Sequence, residues 1–486
     1  MRKNFPDPTW ARLGFSEPPD FHNSGKNIGI VILDKLTPHD AISHLGSRIK
    51  YITVNEDLSI VSRNIAFDSP SELSDDSGEH GLMTVLSLTH QPFELQGKKY
   101  VGIAPAANYI VLDHAAFKDG EGERLKSGMD WIMSKQLEWN IKIILCMGWH
   151  AGDNQVRLKN TIENSTVQAL DSAVKQGVLV ICANGNTRLI NILPPQSFFA
   201  VGGYNDLGNQ NRAKHVAYPD EPYGRNSDGH FRPDVLAPRV YLTIPFCENN
   251  KEVSRVSYYW GTSGAATLVA GVAAFLFSKY PNLDADTLRS AFVEYGDPLI
   301  GYDNPAPRVN VAKIVNALNE GFLSKRMKNK CVSLQVKDPY ISIHSDDDIE
   351  RGLALSNLIQ NQLYLRDALW DFTKDESPVI RKIAVSALGR PVDDLERRRF
   401  WNQLMEEKEG GVRGWYTYGL LTDAGKDEFT MWIPLATDIN WSVRWCVSEY
   451  LAKFPDLYPQ LEKTHDPDSV ETKAFIILDW LNEHLI

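Results

Sequence analysis

Four short segments, NIGIVILD (27–34), NYIVLD (108–113), IKIILCM (141–147) and GVLVICA (177–183), are apolar at nearly every position and rich in β-branched residues. A strand with one wet face alternates apolar and polar side chains, so unbroken apolar runs of this length belong to strands covered on both faces. Between them lie helical patterns: HGLMTVLSLTH (80–90), SGMDWIMSKQLEWN (127–140) and STVQALDSAVKQG (165–177), the last ending in a glycine that stops a helix. That alternation predicts an α/β fold, a mostly parallel central sheet flanked by helices, over about residues 27 to 320. A chain of 486 residues has room for more than this one domain.

After about residue 325 the strand signals stop and a helical pattern runs to the end. A valine or isoleucine followed closely by arginine recurs after a polar stretch: DDDIERGLALSNL from Asp346, ESPVIRKIAVSAL from Glu376, GGVRGWYTYGLL from Gly410 and INWSVRWCVSEYL from Ile439. A weaker copy, DPDSVETKAFIIL, starts at Asp466. The anchors Ile349, Val379, Val412, Val443 and Val470 stand 30, 33, 31 and 27 residues apart, the span of a helix pair. This pattern resembles a HEAT-type α-solenoid, whose units bury their apolar faces on one another. An irregular helical bundle is the competing reading.

The net charge of -11 argues against a general nucleic-acid binder. Five scattered cysteines with no CxxC pair suit a reducing compartment, so a cytoplasmic location is expected. The N-terminal MRKNFPDPTWARLGFSEPPDF has proline and acidic residues where a secretory signal needs an apolar core. Residues 260 to 278 form a 19-residue run without a charge, but its start is rich in glycine, threonine and serine and no basic cluster flanks it. A buried core helix is expected there, and no membrane association.

Four polar residues stand where open α/β sheets place their sites, at strand ends and helix starts. Asp34 closes NIGIVILD, His80 opens an apolar helix in SGEHGLMTVLSL, Asn186 sits in the glycine-containing turn ICANGNTR, and Ser263 lies in WGTSGAATLVAG. Each alone has an ordinary explanation: a turn aspartate, a helix-capping histidine, a turn asparagine, and a small residue at a tight packing point.

Their order carries more. Asp34 ends a buried strand, His80-Gly81-Leu82-Met83-Thr84-Val85 enters a helix, Ala183-Asn184-Gly185-Asn186 closes a strand-turn segment, and Gly261-Thr262-Ser263-Gly264-Ala265-Ala266-Thr267 follows. With GIAPAANYIVL (102–112) and RPDVLAP (232–238) between them, these six ordered segments resemble the subtilisin-like serine peptidases, the subtilases, over about residues 25 to 320. The resemblance implies an Asp34, His80, Ser263 triad. Ser263 is then the nucleophile, His80 the base that takes its proton, and Asp34 the group that orients the imidazole. It also implies an oxyanion site formed by the Asn186 amide and the Ser263 N–H. Gly148, Trp149 and His150, in LCMGWH, stand where the family binds an extended peptide substrate.

Two departures mark a divergent member: Lys35 and Leu36 follow the aspartate where the family has a small hydroxyl residue and glycine, and Thr267 replaces a proline. No cofactor is required. Calcium often supports such folds, but no dense Asp/Asn loop nominates its ligands. The expected organisation is a leader (1–25), a subtilisin-like peptidase domain (26–322) and a HEAT-like helical repeat domain (330–486). The short leader is nearer to that of an intracellular subtilase. Its residues 6 to 20 have two open readings, an inhibitory segment lying across the cleft and a disordered linker. The expected function is an intracellular serine endopeptidase acting on protein or peptide substrates, with the helical repeats binding a substrate or regulatory protein partner. The competing class is a catalytically silent subtilase-fold scaffold.

Overall fold

A computed structural model of the protein describes residues 5–37, 39–64, 79–113, 122–147, 164–186, 193–218, 221–240, 242–247, 253–299, 304–321, 338–361, 363, 366–428 and 432–454. Fifteen strands are found among these residues. The first nine are β1 (Gly29–Leu33), β2 (Ile49–Val54), β3 (Ile60–Asn64), β4 (Phe93–Leu95), β5 (Lys98–Tyr100), β6 (Asn108–Leu112), β7 (Ile141–Cys146), β8 (Leu179–Ala183) and β9 (Phe199–Asn205). They are followed by β10 (Val216–Ala217), β11 (Gly224–Arg225), β12 (Phe231–Arg232), β13 (Val235–Pro238), β14 (Leu242–Cys247) and β15 (Val253–Tyr259).

The main sheet runs β10-β9-β8-β7-β1-β6-β2-β3, with β13 also paired to β9. Its pairings are parallel except β2 with β3 and β9 with β10. The four apolar segments of the sequence are β1, β6, β7 and β8, adjacent at the centre. Strand β1 shows why such strands carry no polar residue. Ile30 and Ile32 enter the core on one face of the sheet while Val31 and Leu33 enter the core on the other. From β1 the chain crosses to β2, returns through β6 and then passes to β7 on the far side of β1. That reversal opens a crevice at the carboxyl ends of β1 and β7, where doubly wound sheets hold their sites.

The helices of this half are α1 (Thr9–Arg12), α2 (Glu79–Thr89), α3 (Gly122–Met133), α4 (Ser165–Lys175), α5 (Thr262–Lys279), α6 (Ala285–Glu294) and α7 (Val311–Asn319). Helices α2, α5, α6 and α7 cover one face of the sheet, and α3 and α4 the other. The charge-free run is α5, the one helix among the described residues long and apolar enough to cross a membrane. It is enclosed within the core, with Ala265, Val269, Ala273 and Leu276 wholly inaccessible to solvent. The helix expected over 127–140 instead starts at Gly122 and ends at Met133. The chain must turn back to enter β7, and Asn140, in the left-handed region at φ 45°, completes that turn.

The leader residues from Phe5 on pack against β5, α5, α7 and the segment after β9. The Tyr100 hydroxyl donates to Pro6 O (2.6 Å), Asp7 pairs with Lys98 (2.9 Å), and Val311 N donates to Leu13 O (3.1 Å). The Phe15 ring meets Phe275, with centroids 5.1 Å apart. Phe275 lies about three turns along α5 from Ser263, so the leader docks at the far end of that helix. Its anchor is Arg12, which pairs with Asp206 at 2.7 Å, both side chains having no solvent exposure.

Past residue 337 all described elements are helical: α8 (Pro339–Ser342), α9 (Asp348–Gln360), α10 (Arg366–Phe372), α11 (Pro378–Leu388), α12 (Asp394–Glu406), α13 (Gly410–Leu421) and α14 (Trp441–Lys453), with two short 3-10 turns. They share a separate core. The first four copies of the sequence pattern form α9, α11, α13 and α14, which pack in that order, each on the next. The weaker copy from Asp466 lies outside the described residues.

The recurring arginine has a consistent role. Arg351 donates to Ser345 O (2.8 Å) and Arg381 to Asp375 O (2.8 Å), while Arg413 donates to Glu407 O (3.0 Å) and Arg444 to Asp438 O (2.6 Å). Each thereby braces the turn before its own helix. Three of them also reach a carboxylate in the turn just before the next copy: Arg351 to Asp375, Arg381 to Glu407, and Arg413 to Asp438. Between the two halves, Arg225 of β11 pairs with Asp347 (3.0 Å) and Asp348 (3.5 Å) at the start of α9.

Replacing Arg12 by Met strands the buried Asp206 carboxylate, and losing one partner of a buried pair costs about 3–5 kcal/mol. The Arg12→Met protein should show a lower unfolding midpoint in urea than the parent. An unchanged midpoint would show that the Arg12–Asp206 pair adds nothing to the fold.

Candidate active site

Asp34 follows the last residue of β1 and is nearly buried. Its Oδ1 accepts from Lys35 N (2.9 Å), which orients the carboxylate, and its Oδ2 meets His80 Nδ1 at 2.6 Å. His80 stands in the first turn of α2 with its side chain 44% exposed. The close approach of that turn to β1 depends on Gly81, where a Cβ would lie 2.1 Å from Lys35 O. Burial disfavours the imidazolium, but the Asp34 carboxylate and its hydrogen bond outweigh that and hold His80 above its ordinary value. With Nδ1–H donated to Asp34, Nε2 is left as the lone-pair acceptor.

Ser263 lies in the first turn of α5, capped by Gly261 at φ 93°, a conformation that favours glycine. Within the described residues no acceptor meets the Ser263 N–H, so it remains a donor at the positive end of a long helix. Asn186 follows β8 and lies against the same turn. Its Oδ1 accepts from Thr262 N (2.8 Å), Thr262 Oγ1 (3.0 Å) and an Arg239 nitrogen (3.2 Å). A backbone N–H and a guanidinium can only donate, so the atom facing them must be the amide oxygen. The Asn186 NH2 is thereby turned away from the helix.

The structure thus brings Asp34, His80, Asn186 and Ser263 to one end of the sheet. Gly148, Trp149 and His150 lie outside the described residues. Among the described residues no hydrogen bond joins Ser263 Oγ to His80. The group at His80 Nε2 is the Tyr259 hydroxyl, 3.1 Å away, with the two rings edge to face. Tyr259 is the last residue of β15 and almost wholly buried. Its hydroxyl is 3.1 Å from Thr84 Oγ1 and 3.7 Å from Met147 Sδ, and the Ser263 and Thr267 hydroxyls also help hold it. Burial, and then the nearby Asp34 charge, push its pKa up, so it is a neutral O–H.

Sequence reasoning missed Tyr259, although a signal was present. Thr84 and Thr267 follow His80 and Ser263 by four residues each, one turn along the same helix face. Their hydroxyls donate to His80 O (3.1 Å) and Ser263 O (2.8 Å). Two such hydroxyls inside an apolar core point to a buried polar group between the helices.

A carboxylate paired to an imidazole, a serine at a helix N-terminus and an amide donor beside it are the parts of a serine-nucleophile hydrolase on a doubly wound sheet. Residues 25–299 match the model of the subtilase family, and the chain belongs to that family. Serine protease AprX of Bacillus subtilis (strain 168) is 26% identical over 265 residues, covering 51% of this chain and 59% of its own. Subtilisin DY of Bacillus licheniformis is 28% identical over 200 residues, covering 39% and 61%. The chain thus spans about three fifths of the length of these curated relatives. Among solved structures, a mutant of the protease domain of PatA matches with a TM-score of 0.44 at 18% identity, over 63% of this chain and 100% of its own. Fervidolysin from Fervidobacterium pennivorans matches with a TM-score of 0.42 at 16% identity, over 62% and 44%.

Because His80 is raised by Asp34, their pairing stabilises the fold while the imidazole is protonated. That contribution is fully present below the ordinary histidine range and is lost as pH rises through the folded value. Asp34→Asn removes the charge that raises His80, so the His80 value should fall from that of the parent. Titration of His80 by NMR checks this, and a value that does not move would show that Asp34 is not the cause.

Proposed function

We propose that this protein is a serine endopeptidase that cleaves protein or peptide substrates through an acyl-enzyme on Ser263. The observation that carries the reading is the 2.6 Å pairing of Asp34 with His80 at the strand ends that also gather Ser263 and Asn186. In the reaction, Ser263 Oγ attacks the scissile carbonyl carbon as its proton passes to His80 Nε2, and Asp34 stabilises the imidazolium. Negative charge on the carbonyl oxygen is met by the Asn186 NH2 and the Ser263 N–H. Collapse of the adduct breaks the C–N bond, with His80 returning the proton to the leaving amine. Water then repeats the attack and frees Ser263. Gly148, Trp149 and His150 would line the substrate cleft.

The contact with Tyr259 favours a regulated effector over a constitutive enzyme. A neutral phenol has one proton to donate, and the Nε2 lone pair is the strongest acceptor beside it. While that bond stands, His80 cannot accept the proton of Ser263, and the resting state is held back. A net hydrogen bond of this kind is worth about 1 kcal/mol, so the restraint is several-fold rather than absolute. The second reading, a catalytically silent scaffold, would need the restraint to be complete.

The C-terminal helices, with their repeated helix-to-helix packing and arginine ties, are in keeping with a HEAT-like array that binds a substrate or regulatory protein partner. Buried cysteines not joined in disulfides, Cys146, Cys182 and Cys446, are in keeping with a cytoplasmic location. Catalysis by these residues calls for no cofactor, and the acidic chain is not expected to engage nucleic acid or membrane.

A fluorophosphonate probe tests the reading. The parent protein should be labelled slowly, Tyr259→Phe several-fold faster, and Ser263→Ala and His80→Ala not at all. Labelling of Tyr259→Phe at the parental rate would remove the restraint but keep the peptidase. An absence of labelling and of proteolysis in both would favour the scaffold.

A further inference from the structure

Arg239 follows β13 directly and has no solvent exposure. One guanidinium nitrogen donates to Glu221 Oε2 (2.8 Å) and the other to Asn186 Oδ1 (3.2 Å). The guanidinium carbon lies 3.9 Å from the centre of the Tyr218 ring. On the backbone, Arg239 N donates to Tyr204 O (3.1 Å), and Arg239 O accepts from Gly261 N (2.8 Å), the cap of α5. A single residue therefore holds the amide of Asn186 through its side chain and the helix start that carries Ser263 through its carbonyl.

Room for this arrangement is built into β9. A Cβ on Gly203 would lie 2.4 Å from the Arg239 stem, and one on Gly202 would lie 2.6 Å from Glu221 Oε1. Both members of the ion pair sit beside a strand that has no side chains to obstruct them. A buried arginine fixed to a carboxylate, stacked on a ring and mounted at the end of a sheet strand has little freedom to turn. The acceptor it holds has little freedom as well.

We propose that Arg239, held by Glu221, is a positioning residue of the oxyanion site: it keeps the Asn186 oxygen against α5 and so aims the Asn186 NH2 at the substrate carbonyl. The inference rests on the peptidase reading above. Without Arg239 the amide retains only the Thr262 donors on one side, and its plane can rotate. A donor that is not aimed in advance is worth little in the transition state.

Arg239→Lys separates this role from a structural one. Lysine keeps a cation for Glu221, but its single nitrogen cannot serve both acceptors with fork geometry. On a peptide substrate, kcat should fall on the order of ten- to a hundredfold with KM little changed, since the loss falls on the transition state. In an Asn186→Ala background the same substitution should have no further effect on kcat. An equal loss in both backgrounds would overturn the proposal, because Arg239 would then act independently of Asn186. A crystal structure of the Arg239→Lys protein reads the Asn186 side chain whether or not the protein cleaves peptides. A rotated amide supports the positioning role, and an unmoved one overturns it. If the parent protein shows no Ser263-dependent hydrolysis, the peptidase reading fails, and that structure still decides what Arg239 does.

Discussion

Helix α5 is enclosed between the parallel sheet and α2, and that enclosure sets the terms for the site. A helix so placed can carry no charge until its last turn, and its N-terminus must open at the strand ends because the rest of its length is filled with core. The unpaired donors of that first turn are thereby presented where β1 delivers Asp34 and β8 delivers Asn186. Gly261 and Gly264 let this occur. The first takes a backbone conformation other residues resist, and the second leaves space for Leu242 and the Tyr259 ring, which a Cβ would approach to 2.5 and 3.3 Å.

Two buried polar groups then touch the polar side chains gathered at these strand ends, and both stand outside the six segments in which the resemblance was read. Tyr259 places its hydroxyl at the imidazole nitrogen of His80 that does not meet Asp34, and Arg239 places a donor on the amide oxygen of Asn186. In a low-dielectric interior such contacts are strong when satisfied and costly when not. Each has support nearby: two threonines around Tyr259, and Glu221 with two glycines around Arg239. The chain has thus invested buried polar groups in orienting its site rather than in adding further apolar contact.

Much of the first half was legible in the sequence for a plain reason. Strands buried on both faces leave an unbroken apolar signature, and β1, β6, β7 and β8 all show it. The ends of these strands located Asp34 and Asn186, and the glycines and small residues around His80 and Ser263 located the helix starts. Tyr259 was not legible, because an aromatic residue at the end of a strand reads as ordinary core and only the threonine one turn below each site residue hints otherwise. Arg239 was missed because an arginine after a strand reads as surface. Its burial follows from Gly202 and Gly203, far away in sequence. The helix assigned to 127–140 was displaced because the turn into β7 overrides the local pattern.

In the C-terminal half, each of three recurring arginines ties one helix to the copy that follows it and braces the turn before its own. Ties of this kind reach only to the next neighbour. Cohesion among the described helices is thus a chain of local links from α9 to α14. A disturbance at one of these helices is therefore passed on through its immediate neighbours, whereas a strand of the layered α/β half is held from both faces of the sheet at once.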